Sequence, residues 1–173
     1  MKAGLGTVTL VVALLVVFGI ELATHSVGNE SSLLKLGGLP DNGALHGQYW
    51  RVATYSFLHF NGAHLLVNVL LLFWIGRIVE SWVGIAYAAA IYVSSVLCSA
   101  AVILFFHNLH PKAGATVGAS GGLFGLLAAA LIISHRHSAG ALNREGRLRT
   151  WLGLPSLQAW AFHFFPELVW PVT

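Results

Sequence analysis

Apolar residues in this chain fall into long uncharged runs separated by more polar stretches. The first, Leu5 to Ile20, is preceded by Lys2 and followed by Glu21. The second starts near Gly62 and reaches about Val79, closed by Gly76-Arg77 and Glu80. The third, Trp82 to Phe106, has 25 residues and no charge, and the fourth, Ala113 to Ile133, has 21. A helix rises about 1.5 Å per residue, so about 20 apolar residues cross the hydrocarbon core of a bilayer. The pattern therefore predicts an all-α fold, a polytopic transmembrane bundle with four clear spans. A last uncharged run, Thr150 to Phe165, has only 16 residues, contains Pro155 and is followed by Pro166, Glu167 and Pro171. It reads as either a fifth helix or a surface segment. A signal peptide is the rival reading of Leu5 to Ile20, but no Ala-x-Ala-like cleavage site follows it. A retained first helix is expected.

Composition agrees. Of the 173 residues, 57% are hydrophobic and 9% charged, with mean hydropathy +0.77. Soluble domains carry about 25% charged residues, so the chain is expected to be an integral membrane protein in one domain, 1–173. Nine Lys and Arg against six acids are too sparse for a nucleic-acid footprint. The single cysteine, Cys98, has no partner for a disulfide or a metal site, and reads as a small buried apolar side chain.

The charges also suggest an orientation. With four crossings, Lys2, Arg77, Arg136, Arg144, Arg147 and Arg149 share one face, and Lys35, Arg51 and Lys112 the other. The positive-inside rule makes the first face cytoplasmic. The N-terminus is then inside, and the long loop from Thr24 to Phe60 outside. A loop of that length is usually functional or structured. Tyr49, Trp50, Tyr55, Phe57 and Phe60 suit it to the headgroup region.

Candidate chemistry gathers at the outer ends of the second and fourth runs. Gly114, Gly118, Gly121 and Gly122 crowd into nine residues around Ser120. Glycine weakens a helix by about 1 kcal/mol relative to alanine. Two reasons fit: small-xxx-small packing at Gly114/Gly118, Gly118/Gly122 and Gly121/Gly125, or access to the Ser120 hydroxyl. His64 and Asn68, four apart, share a helical face, with His59 just before them. Polar groups at membrane depth usually face a bundle interior or a cavity. They could hydrogen-bond neighbouring helices, or act with Ser120. A serine nucleophile needs a base and donors aimed at the oxyanion. Gly118-x-Ser120-x-Gly122 also fits the nucleophile elbow of α/β-hydrolases, but the chain lacks the strand–turn–helix context that elbow needs.

Trp50-Arg51, then Phe57-Leu58-His59, His64-x-x-x-Asn68, Gly76-Arg77, Glu80, and Gly118-Ala119-Ser120-Gly121 with Phe124, together resemble the rhomboid intramembrane serine proteases. The resemblance is carried by about residues 48–133, and 150–173 is atypical. It implies a six-helix core around a water-filled cavity open to the outer side. It implies Ser120 as nucleophile and His64 and Asn68 as oxyanion donors. Gly118 and Gly121 belong to the nucleophile motif, Phe124 to a position packed near the catalytic histidine, and Arg51 and Glu80 to structural positions. The implied substrates are transmembrane proteins in the lipid bilayer, cleaved in or beside their spans without metal or cofactor, and without nucleic acid.

One feature departs from the family pattern. The base of such enzymes is a histidine on the sixth helix, within a glycine-rich His-x-x-Gly pattern. After the basic segment this chain has only His163, in Ala161-Phe162-His163-Phe164-Phe165. A truncated or frame-altered rhomboid with little activity of its own is expected. The alternatives are a catalytically inactive rhomboid-like protein that binds membrane clients, and a transporter, whose inverted repeats are not evident.

Overall fold

A computed structural model describes residues 4–140. The elements in chain order are α1 (Leu5–Ala23), α2 (Glu30–Leu36), β1 (Leu39–Pro40), α3 (Arg51–Thr54), α4 (Gly62–Leu71), α5 (Arg77–Val83), α6 (Ile85–Leu109), β2 (Ala115–Thr116) and α7 (Ser120–Gly140). A 3-10 turn, Tyr55–Phe57, follows α3, and a π turn, Leu72–Gly76, joins α4 to α5. Among the described residues, three helical stretches are long and apolar enough to cross a membrane: Leu5–Ala23, Gly62–Val83 and Ile85–Leu109. α7 carries a shorter apolar stretch, Ser120–His135. The segment 150–173, with its possible fifth helix and His163, lies outside the described residues.

The fourth span was expected from Ala113, yet α7 starts at Ser120. Gly114 and Gly118 have φ of +144° and +129°, a region L side chains avoid. Between them β2 pairs antiparallel with β1, Leu39 opposite Thr116 and Pro40 opposite Ala115. This segment is therefore a loop clasped to the long first loop, and the helical spacing assigned to Gly114/Gly118 does not apply. Gly121, Gly122 and Gly125 do serve close packing. A Cβ on Gly121 would lie 2.7 Å from Ser99, and those on Gly122 and Gly125 would strike Tyr92 and Ser95, all on α6.

The loop from Thr24 to Phe60 has structure of its own. Asn29 caps α2 by accepting the Ser32 N–H at 3.1 Å, as short polar side chains do at helix starts. Arg51 is buried and donates to the carbonyls of Leu34 and of Gly38, the latter at 2.8 Å, and to Gln48 Oε1 at 2.5 Å. One guanidinium thus ties α3 to the end of α2. Glu80 fastens α1. Its Oε1 accepts the Gly6 N–H at 3.0 Å, and its Oε2 accepts the Thr7 N–H and hydroxyl, each at 2.8 Å. These are first-turn donors that a helix cannot satisfy itself. Both residues hold helix and loop ends.

Residues 4–130 lie in one unit, whose core joins Leu14 of α1, Leu65 and Leu72 of the second span, Tyr92, Val96 and Ala100 of α6, and Leu123 and Leu126 of α7. The buried positions of α6 recur every fourth residue, Ala88, Tyr92, Val96 and Ala100. Cys98 falls off that stripe and is exposed, contrary to its expected burial. From Leu131 the remainder of α7, to Gly140, belongs to a second unit.

Candidate active site

Asn61 starts the site. Its extended backbone, φ −156°, ends the preceding loop, and its side chain accepts the His64 N–H at 2.8 Å. This cap sets the first turn of α4 and so the direction of His64. The sequence signal was an Asn directly before the first helical residue. One turn on, Asn68 is 3% exposed, and its Nδ2 is buried without a partner. An unpaired amide donor at membrane depth is costly.

The loop before α7 brings the serine to the same place. Gly118 donates its N–H to the Tyr55 carbonyl at 2.9 Å. The Tyr55 hydroxyl donates to the Val96 carbonyl at 3.0 Å, so α6 holds the turn that holds Gly118. The His64 ring lies directly on Gly118. The point where a Gly118 Cβ would sit is 2.8 Å from His64 Cε1, 2.9 Å from Nε2 and 3.9 Å from Ser120 Oγ. The imidazole and the hydroxyl therefore flank one small space that only glycine leaves open. Ser120 is exposed and is the first residue of α7, where main-chain N–H groups have no intrahelical acceptor. Among the described residues none accepts a hydrogen bond from Ser120 Oγ.

His59 backs this arrangement. It is fully buried, and its ring meets that of His64 edge-on, with centroids 5.1 Å apart and planes at 67°. Its Nδ1 lies 3.2 Å from the Phe57 carbonyl and its Nε2 is buried without a partner. Burial, and then the neighbouring His64, push the His59 pKa down from 6.5 to about 4, against a smaller opposing effect of the Phe57 carbonyl. His59 itself thus binds fewer protons in the folded protein than in the unfolded chain between those values. Stability from neutral His59 is fully present above about pH 6.5, declines through the window down to about pH 4, and stays lost below it. The expected loss is about 3 kcal/mol. Thermal unfolding in detergent from pH 8 to pH 4 should show it as a difference between the two proteins, the wild type losing more stability toward pH 4 than His59→Phe. Equal slopes in both proteins would contradict the assignment.

Of the residues singled out from sequence, Gly118, Ser120 and His64 meet at one point, and Asn68 lies one turn below His64. Gly121 packs on α6, and Arg51 and Glu80 act away from the site. Phe124 lies one turn after Ser120. It is 56% exposed and shares the exposed face of α7 with Ala128, because Gly122, Leu123 and Leu126 occupy the buried face. Sequence reading overlooked Glu21, fully buried, whose Oε1 accepts the His59 N–H at 3.0 Å. A lone acid at the end of an apolar run was the available signal.

Fold and composition define an integral, multi-pass helical membrane protein. Residues 46–167 match the rhomboid domain family model. The chain is 31% identical over 137 residues to rhomboid protease GluP of Bacillus subtilis, covering 79% of this chain and 25% of that protein. It is 36% identical over 100 residues to RHOMBOID-like protein 5 of Arabidopsis thaliana, 58% of this chain and 32% of that one. It is 32% identical over 139 residues to rhomboid protease AarA of Providencia stuartii, 73% of this chain and 50% of that one. The chain belongs to the rhomboid family. It spans a quarter to a half of the length of these relatives.

Proposed function

We propose that this chain is an intramembrane serine endopeptidase that cleaves transmembrane protein substrates in or near their spans. The observation that carries this reading is the placing of His64 Nε2 and Ser120 Oγ within 4 Å of one point above Gly118. Ser120 Oγ attacks the scissile carbonyl. The negative charge that forms on the oxygen is held by His64, by the Asn68 amide and by the Ser120 main-chain N–H, donors fixed before the reaction starts. The Ser120 proton passes to a histidine base, completing a Ser–His dyad, and that proton then protonates the leaving amine. No described histidine bonds to Ser120 Oγ, so the base is sought outside residues 4–140. The N-terminus is assigned to the cytoplasm and the site to the outer side, on the distribution of Lys and Arg.

Fluorophosphonate labelling tests this. Strong labelling of Ser120 in detergent, lost entirely in Ser120→Ala, would show that the base is present. His64→Ala and Asn68→Ala should each slow labelling by about tenfold to a hundredfold, as removal of an oxyanion donor does. Absence of label in the wild type, with retained capture of a membrane client by both wild type and Ser120→Ala, would replace the protease reading with client binding.

A further inference from the structure

Glu21 is a fully buried carboxyl in an otherwise uncharged helix. Ionisable groups at such positions are costly and need a function. Among the described residues no cation pairs with it. Its one side-chain partner is the main chain of His59, whose N–H it accepts at 3.0 Å, and its second oxygen, Oε2, is buried and unpartnered. The end of α1 is tied to the same loop elsewhere too: Ser26 donates its N–H to the Glu21 carbonyl at 2.8 Å, and Gly28 donates to the Phe60 carbonyl at 2.8 Å.

We propose that Glu21 is a positioning residue for the active site: it fixes the main chain at His59 so that the His59 ring holds the His64 imidazole against Gly118. The proposal rests on the protease reading above. The relay has three contacts: Glu21 Oε1 to the His59 N–H, the His59 ring edge-on to His64, and His64 over Gly118 beside Ser120. The other end of α1 is independently fastened by Glu80. Loss of Glu21 therefore loosens the end of α1 near the site without freeing the whole helix. A glutamine keeps a side-chain oxygen that can accept the same N–H; a leucine of similar size cannot.

The test compares the wild type, Glu21→Gln and Glu21→Leu in nanodiscs. Readouts are hydrogen exchange at the His59 amide, the imidazole NMR signals of selectively labelled His64, and the rate of Ser120 labelling. In Glu21→Leu, faster exchange at His59, multiple His64 signals and about tenfold slower labelling are expected. Glu21→Gln should stay within about twofold of the wild type in labelling. Unchanged His64 signals in Glu21→Leu, or Glu21→Gln behaving like Glu21→Leu, would overturn the proposal. A wild type that does not label counts against the protease reading alone, because the His64 signals still decide the positioning role. Should Glu21→Leu fail to insert, His59→Ala carries the test. It leaves the Glu21 bond to the main chain and removes only the ring behind His64. The same loss of a single His64 signal is expected, and a retained single signal overturns the proposal.

Discussion

Gly118→Ala is expected to silence Ser120 while leaving the helices assembled. Two effects act on the same atom. The backbone there has φ +129°, where a residue with a Cβ is strained by about 1–3 kcal/mol. The new methyl would also lie 2.8 Å from His64 Cε1 and 2.9 Å from Nε2, closer than carbon and nitrogen tolerate. Something must move, and the neighbours leave few choices. The Gly118 N–H is held by the Tyr55 carbonyl, and Tyr55 is held by α6. The first turn of α4 is held by Asn61, and the His59 ring lies edge-on against that of His64. The ring or the loop must give way by a sizeable fraction of an ångström. Misplacement of a catalytic group by about 1 Å costs about a hundredfold in rate, so Ser120 labelling should fall by about that factor. The thermal midpoint should drop by about 2–12 °C, what about 1–3 kcal/mol produces in a domain of this size. An alanine variant that labels at the wild-type rate would mean that His64 has no part in the reaction.

The helices were legible because length and lack of charge suffice to mark a membrane span, whatever the partners. The runs from Leu5, Gly62 and Trp82 became helices with ends shifted by a few residues; Gly84, at φ +84°, separates α5 from α6 inside the third run. Where α7 starts was not legible. Ala115 and Thr116 look helical by hydropathy, and only pairing with Leu39 and Pro40 makes them a strand. Face choice was also hidden. Cys98 and Phe124 sit in apolar helices whose windows look alike on every side, and their neighbours alone decide what is buried. The candidate site shows in the sequence through its polar residues but not through their supports. Ser120, His64 and Asn68 stand out as polar groups in apolar runs. Tyr55, Asn61 and Glu21 act through main-chain hydrogen bonds, which leave little trace in a sequence.

The second large effect is expected at Arg51, and it should register in the fold before the chemistry. The guanidinium donates to two carbonyls on different turns of the loop, Leu34 and Gly38, and lies over the Trp50 ring with Cζ 4.7 Å from its centroid. Charged donors to buried carbonyls are worth about 1.5–3 kcal/mol each, and removing the donor leaves the carbonyl unpaired. Arg51→Ala should therefore cost about 3 kcal/mol or more. The damage has a direction. Gly38 immediately precedes β1, β1 pairs with β2, and β2 leads through Gly118 to Ser120. Asp41 reinforces that pairing: its Oδ1 accepts the Thr116 hydroxyl at 2.7 Å and its carbonyl accepts the Lys112 N–H at 2.9 Å. Loss of Arg51 should free the loop first, opening residues 41–48 to limited proteolysis, and slow Ser120 labelling as a consequence. Arg51→Lys keeps the charge but cannot reach two carbonyls with a planar fork, so it should recover only part of the protease resistance. Arg51→Ala with wild-type protease resistance and thermal midpoint would show that β1 and β2 hold the loop without the guanidinium.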